Sequence, residues 1–360
     1  MSDNQLQNNL VVLQADYLEA LRLGSGRAAD QVVQQALDSG ADAGDVYLDI
    51  FQPTAYEIGR LWQLNRFTVA QEHLATAIIE RQMGELHPLF RPQHRRPQVV
   101  IIGCVPNEQH RVGARMVADF FEADGWTAHY LGAATPIDSF VAMAREMQAD
   151  LIGLSVQMVY YLPHITAFAA ALERYGLDGI PIMVGGMPFR QQPDLVQTLN
   201  VRFSSTNARE AVQQANQRFA VPAAPMAPDV PLLPVASATL DAFRAARDQI
   251  IRLAVTLSLT YPAEVVHFGA HATRILTAGF KFMTRMLETA MLLQNTALLE
   301  EQLVWANTRQ PHDGVPPEHL LHRFQMYAAA IEDVLPPPHA AEVLPYIAWL
   351  IAHQRQFVDR

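Results

Sequence analysis

The stretch from Gln98 to Phe219 constrains the fold most, because short β-branched runs alternate there with amphipathic segments at intervals suited to βαβ units. The strand-like runs lie at 99–104, 127–131, 151–156, 182–184 and 201–203. The helical patterns lie at 111–124, 137–148, 163–175 and 208–219. This order predicts a doubly wound parallel sheet of about five strands, in which ligands sit at the carboxyl ends of the strands.

The regions on either side of this stretch have the apolar spacing of helices. The first 96 residues show it clearly, with Leu10, Leu13, Tyr17 and Leu21 on one face, and predict a bundle of four or five helices. Residues 220–236 are rich in proline and predict an extended linker. We therefore expect a multidomain α and α/β protein with a helical bundle at 1–96, a Rossmann-like domain at 97–219 and an all-α domain at 237–360.

Composition excludes several classes of function. The chain has 26 basic and 36 acidic residues, and its only basic cluster is the short run Arg91, Arg95 and Arg96, so we do not expect it to bind nucleic acid directly. Cys104 is the single cysteine, which rules out a disulfide within the chain and a cysteine-rich metal site. No apolar run is long enough for a membrane span, and the first residues do not form a signal peptide. We expect a cytoplasmic protein.

Three short motifs follow three of the predicted strands. In chain order they are Glu108-Gln-His110-Arg-Val-Gly113, Ser155-Val-Gln157 and Gly185-Gly186. There are 41 residues between the first motif and the second, and 27 between the second and the third. Because each motif falls at a strand end, the sheet architecture would gather all three round one crevice.

The residue types in these motifs suit a large cofactor with a metal at its centre. His110 can present Nε2 to the metal while Glu108 accepts the other ring N–H, which fixes the tautomer. Gly113 leaves room for a planar ring, and Ser155 is placed to hydrogen-bond a base inserted into the core. Gly185-Gly186 lets the backbone run close to a nucleotide tail. The plainer alternative is a flavodoxin-like domain with an incidental loop histidine.

The spacing of the three motifs resembles that of the cobalamin-binding domains of methionine synthase, the corrinoid methyl carriers and the adenosylcobalamin mutases. The resemblance implies that cobalamin is bound base-off, with His110 as the lower axial ligand of cobalt. Two residues depart from the family pattern. Glu108 stands where the family has aspartate, which keeps the carboxylate. Gln157 stands where it has leucine or threonine, which puts the contacts to the buried base in doubt.

In the predicted bundle, Trp62 is followed by nine residues and then by Glu72-His73. This pattern, directly before a Glu-x-His-x-x-Gly domain, resembles the light-sensing adenosylcobalamin photoreceptors that act as bacterial repressors. The resemblance implies that Trp62 covers the adenosyl group and that Glu72 and His73 hydrogen-bond its ribose or adenine. The alternative is an indole in the bundle core, a solvated glutamate and a capping histidine.

Two features of those repressors are missing. No helix-turn-helix domain precedes the bundle, so direct DNA binding is not expected. Gln63 stands where the repressors have the histidine that binds cobalt after light has broken the cobalt–carbon bond. A bis-histidine photoproduct that uses this position is therefore not expected, although another histidine could substitute.

In the C-terminal region, the spacing of apolar and polar residues predicts a long helix from Ala263 to about Ala297, with a polar stripe along one face. The stripe consists of His267, His271, Arg274, Lys281 and Arg285. It could hold the propionates and pyrrole nitrogens of a tetrapyrrole, or it could be a solvated or interdomain face. The domain order resembles that of the photocobilins, which pair adenosylcobalamin with biliverdin. Biliverdin would be bound non-covalently, because the C-terminal region has no cysteine.

We expect a sensor and not an enzyme: adenosylcobalamin loses its adenosyl group in light, and the change passes to an oligomer interface or a protein partner. The alternative is a corrinoid carrier that delivers methyl groups to a separate methyltransferase. A mutase small subunit is a third candidate, weakened by the absence of a catalytic barrel. The Trp62, Glu72 and His73 pattern discriminates between the first two, because a methyl carrier does not need it.

Overall fold

A computed structural model describes residues 3–92, 94–199, 201–220, 235–295 and 297–358. The chain divides into two units, Met1–Asp229 and Val230–Arg360. The predicted linker falls between the last helix of the first unit and the first helix of the second, and its residues 221–234 lie outside the described residues. Among the described helices, none combines the length and the apolar character needed to cross a membrane.

The first unit begins with a helical bundle, as the sequence predicts. Its helices are α1 (Asp3–Arg22), α2 (Gly26–Asp38), α3 (Ala43–Asp45), a π-helical turn (Val46–Phe51), α4 (Gln52–Gln63), α5 (Val69–Leu86) and a 3₁₀ turn (His87–Leu89). Its core contains the fully buried rings of Tyr17, Tyr47 and Phe51, with centroids 5.2 Å apart for Tyr17–Phe51 and 5.6 Å for Tyr47–Phe51. Aromatic pairs at this separation stabilise the bundle beyond the area that they bury.

A five-stranded sheet follows, and all of its strands are parallel. The strands are β1 (Val99–Cys104), β2 (Thr127–Tyr130), β3 (Leu151–Ser155), β4 (Ile182–Gly185) and β5 (Phe203–Ser205), in the order β2-β1-β3-β4-β5. The connecting helices are α6 (Val112–Ala123), α7 (Ile137–Glu146), α8 (Pro163–Arg174), α9 (Met187–Gln191), α10 (Leu195–Thr198) and α11 (Ala208–Ala220). The doubly wound parallel sheet that the sequence predicts is confirmed.

The fifth strand begins two residues later than the sequence predicts. The predicted run is 201–203, whereas the structure pairs Phe203 with Met183 and Ser205 with Gly185. The pairing therefore extends over two serines, which carry no strand signal in the sequence because they are neither β-branched nor apolar.

The order of the strands places a crevice between β1 and β3. The chain leaves β1 towards β2 on one side, and β3 lies on the other side, which makes this the point where the winding of the sheet reverses. Cys104 at the end of β1 is in register with Ser155, and Ser155 with Gly185. The loops that carry the three sequence motifs therefore leave the sheet at one level.

One continuous hydrophobic cluster joins the bundle to the sheet. It includes Met83 from α5, Phe120 from α6 and Trp126 from the start of β2, all buried. The ring of Tyr47 in the bundle lies 6.5 Å from that of Phe120. The bundle is therefore packed directly on the helix that follows the first motif.

The second unit is helical throughout its described residues. It consists of α12 (Ser237–Ser258), α13 (Pro262–Phe268), a 3₁₀ turn (Gly269–His271), α14 (Ala272–Leu292), α15 (Ala297–Arg309), a second 3₁₀ turn (Gln310–Asp313), α16 (Pro317–Val334) and α17 (Pro337–Val358). The single helix predicted from Ala263 to Ala297 is wrong. Gly269 adopts a φ of +51°, which ends α13, and a new helix begins three residues later.

Gly185, the last residue of β4, and Gly186, the residue after it, differ in how much room they leave for a side chain. Gly186 has a φ of +120°, and a Cβ there would lie 1.8 Å from the carbonyl oxygen of Val156, whereas a Cβ on Gly185 would come no closer than 3.7 Å to Ser205. We predict that Gly186→Ala lowers the free energy of unfolding by about 3 kcal/mol and that Gly185→Ala changes it by less than ~1 kcal/mol. Urea denaturation of the cofactor-free protein measures both, and equal effects would contradict the prediction.

Candidate cofactor-binding site

The carboxylate of Glu108 is the centre of the candidate site. It is fully buried, and one of its oxygens, Oε1, accepts hydrogen bonds from the backbone N–H of His110 at 3.1 Å and from Nδ1 of that residue at 2.5 Å. The other oxygen, Oε2, accepts from the backbone N–H groups of Gln157 at 2.8 Å and Met158 at 3.0 Å. One side chain therefore joins the loop after β1 to the loop after β3, across the crevice between these strands.

This arrangement orients the imidazole of His110. An ionised carboxylate only accepts hydrogen bonds, so Nδ1 carries the ring proton and Nε2 is the nitrogen left with a lone pair. The imidazole side chain is 56% exposed, so a ligand can reach it. The carboxylate–histidine pair is the arrangement that proteins use to hold a metal-binding imidazole in one tautomer and one orientation.

The two groups shift each other's pKa. Burial by itself would raise the pKa of Glu108, but the hydrogen bonds from the side chain and backbone of His110 and from Gln157, together with the imidazolium charge, hold it below its usual range. The hydrogen bond to Glu108 raises the pKa of His110 against the opposing effect of burial, and the negative charges of Glu108 and Glu72 add to it.

These pKa shifts define the pH range over which Glu108 and His110 stabilise the fold of the cofactor-free protein. The contribution of His110 is complete below its ordinary pKa of about 6.5 and is lost as the pH rises through the raised value. The contribution of Glu108 is complete above its ordinary pKa of about 4.5 and is lost as the pH falls through the lowered value. A metal binds the neutral imidazole, so metal binding at Nε2 strengthens as the pH rises through the raised pKa of His110.

The glycine of the first motif leaves open space beside His110. Gly113 is the second residue of α6 and is exposed, and a Cβ placed on it would meet no heavy atom within 4 Å. The residues present therefore fit a broad planar cofactor with a central metal, because an oriented imidazole and an unobstructed approach lie three residues apart.

The second and third motifs are joined by Gln157. Its side-chain oxygen Oε1 accepts a hydrogen bond from the backbone N–H of Met187 at 3.3 Å, directly after Gly185-Gly186. Ser155, at the end of β3, is half-buried. The departure of Gln157 from the family pattern thus has a structural use, as it ties the loop after β3 to the loop after β4. A contact between Ser155 or Gln157 and a bound base stays a prediction.

Trp62, Glu72 and His73 flank one turn of the bundle. Trp62 lies at the end of α4, half-buried against the hydrophobic cluster. Helix α5 begins at Val69 after its N-cap Thr68, and the side chains of Thr68 and Gln71 bond each other's backbone N–H groups in a capping box. Glu72 follows Gln71 directly in the first turn. Adjacent helical residues diverge by about 100°. The tips of the Glu72 and His73 side chains nevertheless converge, with Oε2 and Nε2 3.5 Å apart.

Sequence reasoning missed the link between this helix and the His110 loop. Arg111 bonds Glu80 of α5 through two hydrogen bonds, from Nε at 2.7 Å and from the guanidinium NH2 group at 2.8 Å. Planar bidentate pairs of this kind hold their partners in a defined geometry. No local pattern signals the pair, because 31 positions separate the two residues.

The polar stripe of the second unit lies in solvent. All five of its residues are exposed, and they belong to α13, to the 3₁₀ turn and to α14: His267, His271, Arg274, Lys281 and Arg285. The break at Gly269 separates His267 from the other members. Their exposure agrees with the alternative that these residues form a solvated face of the helix. Bilin binding by these residues stays a prediction.

A buried polar cluster that the sequence did not reveal lies beside His267. Glu264 is fully buried and accepts two hydrogen bonds from Arg323, at 2.7 and 2.8 Å. The ring of His319 lies 6.0 Å from that of His267, and the ring of His322 stacks at 4.4 Å on Tyr261. The buried atoms Nδ1 of His319 and Nε2 of His322 have no hydrogen-bond partner among the described residues. Unsatisfied buried nitrogens of this kind point to a bound water or ligand.

Comparison with known proteins agrees with this geometry. Residues 98–213 match the family described as "B12 binding domain", and residues 13–87 match a second family with the same description. Dimethylamine corrinoid protein 3 of Methanosarcina mazei is 32% identical over 123 residues, which are 34% of this chain and 72% of the relative. The HTH-type transcriptional repressor CarH of Myxococcus xanthus is 27% identical over 160 residues, which are 42% of this chain and 50% of the repressor.

The solved structure of the monomethylamine corrinoid protein of Methanosarcina barkeri has the same fold. It aligns with a TM-score of 0.51 at 18% identity and covers 56% of this chain and 95% of its own. Beyond the first relative, the chain spans 50–57% of the length of the curated proteins it matches. The two matched families support a cobalamin or other corrinoid as the cofactor of the first unit.

We predict that Glu108→Gln lowers the pKa of His110 towards its ordinary value of about 6.5, because the amide has no charge to stabilise the imidazolium. Titration of the cofactor-free protein, followed by NMR of ¹³C-labelled histidine rings, measures the shift. Assignment uses His110→Ala, whose spectrum lacks the resonance. An unchanged pKa in Glu108→Gln would show that the buried carboxylate does not control this imidazole.

Proposed function

Since the chain belongs to the family of B12-binding corrinoid proteins, we propose that it holds adenosylcobalamin base-off over His110 and acts as a light sensor. Bound adenosylcobalamin supplies a cobalt–carbon bond that light can break. The observation that carries the proposal is the bidentate pair between Glu80 of α5 and Arg111, the residue that follows His110. This pair holds α5, which also carries Glu72 and His73, beside the loop that would hold the metal.

In this proposal each residue of the first motif keeps one task. Glu108 would hold the ring proton of His110 on Nδ1, and His110 would offer Nε2 to cobalt. Gly113 leaves the approach to this nitrogen open, and Gly185-Gly186 lets the nucleotide tail run along the backbone. Ser155 is the proposed contact of the inserted base, and Gln157 keeps the surrounding loops together.

The upper face is the proposed sensing element. Trp62 would cover the adenosyl group, and Glu72 and His73 would hydrogen-bond it. Loss of that group in light would remove these contacts and would shift the bundle relative to the sheet. The Glu80–Arg111 pair would carry the movement between α5 and the His110 loop. The shift would reach an oligomer interface or a protein partner.

The second candidate is a methyl carrier that serves a separate methyltransferase. The dimethylamine corrinoid proteins favour it, because two of them are 32% identical to this chain over 123 residues. In a carrier the bundle must leave the upper face to expose cobalt. The cap, formed by Trp62, Glu72 and His73, then has no adenosyl group to bind. The two functions therefore differ in which upper ligand the cap recognises.

We predict that Trp62→Ala and Glu72→Gln weaken the binding of adenosylcobalamin by about tenfold or more, the effect of about 1.4 kcal/mol in lost contacts, and leave the binding of methylcobalamin nearly unchanged. The contacts go to the adenosyl group, which methylcobalamin lacks. Equilibrium titration in the dark, followed by absorption, measures both affinities.

Two controls make this comparison specific. His110→Ala should weaken the binding of both cobalamins alike and abolish the spectrum of a histidine-ligated, base-off corrinoid, because the lower ligand does not depend on the upper one. Glu57→Gln, a substitution of a glutamate on α4 that pairs with Arg60, should affect neither. Equal losses for the two ligands in Trp62→Ala would favour the methyl carrier.

We further propose biliverdin as a second, non-covalent chromophore of the second unit. Support comes from the domain order and from the buried ring nitrogens of His319 and His322 beside His267, which make no hydrogen bond to the described residues and could bond the pyrrole nitrogens. The carboxylate of Glu264 lies 3.5 Å from Nδ1 of His319. The cations Arg274, Lys281 and Arg285 are the candidates for the propionates. A thioether is not available, because Cys104 is fully buried and burial raises the pKa of its thiol to about 12.

We predict that full-length protein titrated with biliverdin gains a saturable, red-shifted absorption band. His319→Ala and His322→Ala should weaken its binding by about tenfold or more. Arg274→Ala and Arg285→Ala should each weaken it by about tenfold, the low end of the range of 1–3 kcal/mol for an arginine–carboxylate hydrogen bond, because both side chains are exposed. Arg355→Ala, at another exposed arginine of the same unit, is the control. If the wild type gains no such band, the second unit is a dimerisation or partner-docking module.

A further inference from the structure

Three metal-ligating side chains converge where the bundle meets α6, outside the cofactor site. His87 starts the 3₁₀ turn after α5, and Asp119 and Glu122 lie three residues apart on α6. The imidazole Nε2 lies 3.0 Å from Oε2 of Glu122 and 3.6 Å from Oδ1 of Asp119. One ligand atom from each residue falls within 4.8 Å of the other two. This separation lets all three atoms bind one ion at the distances that divalent transition metals adopt in proteins.

The buried member of the cluster is held with one oxygen facing the histidine. The side chain of Asp119 is only 7% exposed. Its oxygen Oδ2 lies 2.9 Å from the hydroxyl of Tyr47 and 3.9 Å from Nε of Arg115. The hydroxyl of Tyr47 also lies 3.0 Å from the carbonyl oxygen of Met83. The other oxygen, Oδ1, is the one directed at His87. Packing therefore fixes one ligand atom before any ion arrives, which lowers the entropy lost on binding.

The charge of the cluster also favours a cation. Asp119 is buried, so its carboxylate has lost most of its hydration, and nearby positive charge must replace that hydration. Arg115 contributes from 3.9 Å, which is near the limit for an ion pair. A divalent ion bound to Oδ1 would supply the missing charge at the distance of a coordination bond.

The remaining two ligands leave the position open to solvent. The side chains of His87 and Glu122 are 39% and 46% exposed, so an ion can enter and water can complete its coordination. One imidazole nitrogen and two carboxylate oxygens are a donor set that suits zinc, manganese or iron. Magnesium and calcium prefer oxygen ligands alone.

We propose that His87, Asp119 and Glu122 bind one divalent transition-metal ion that joins the end of α5 to α6. The site shares no residue with the cofactor site and does not depend on which function the corrinoid serves. Because α5 carries Glu72 and His73 at its other end, a bound ion would hold the base of the cap to the helix that follows His110.

The test uses untagged, full-length, cobalamin-loaded protein titrated with zinc against a fluorescent zinc indicator. We expect one equivalent of zinc to bind. His87→Ala and Glu122→Gln should each weaken it by about tenfold or more, since loss even of a residue that only supports a metal ligand weakens metal binding 10–100-fold. Zinc should raise the melting temperature of the wild type more than that of the two variants, because an ion that binds only the folded state stabilises it in proportion to how tightly it binds.

Matched controls are available close by. His94→Ala removes an exposed histidine seven positions along the chain, and Glu85→Gln removes an exposed glutamate that pairs with Arg81. Both should bind zinc as the wild type does. If the wild type binds no zinc, or if His87→Ala and Glu122→Gln bind it equally well, the cluster is an ion pair between the two helices and the proposal is wrong.

Discussion

The buried carboxylate of Glu108 is the interaction on which the candidate site depends. A carboxylate removed from water is stable only when hydrogen bonds replace its hydration, and here backbone N–H groups from two loops and the ring of His110 do so. These hydrogen bonds to Glu108 have two consequences. They fix the imidazole for a metal, and they hold the loops after β1 and β3 together at the point where the sheet's winding reverses.

The bundle is attached to this site through several different interactions. A shared hydrophobic cluster supplies the area of contact. The pair Glu80–Arg111 joins α5 to the His110 loop, and the pair Tyr47–Asp119 joins the π-helical turn to α6. Apolar packing tolerates small sliding movements better than bidentate hydrogen bonds do. A bundle attached in this way has few alternative positions relative to the His110 loop.

The second unit shows how surface pattern and burial can point to different residues. A cationic stripe with helical spacing was visible in the sequence, yet its members are exposed and a glycine divides them. The polar cluster beside His267 is built from two helices: Glu264 lies on α13, and Arg323, His319 and His322 lie on α16, more than fifty positions further along the chain. Burial of polar groups is a property of the packed unit, so no local pattern could show it.

The sequence by itself determined the fold class of each region and the order of the motifs, because strand and helix periodicity are local properties of the chain, although it misplaced β5 by two residues and missed the break at Gly269. It predicted the parallel sheet, the bundle and the position of Glu108 and His110 at the end of β1. Only the tertiary structure decided which distant groups meet. The bond of Glu108 to Gln157, the pair Arg111–Glu80 and the meeting of His87 with α6 depend on how the bundle and the loops pack. Such contacts are set by the three-dimensional path of the chain and leave no periodic trace in it.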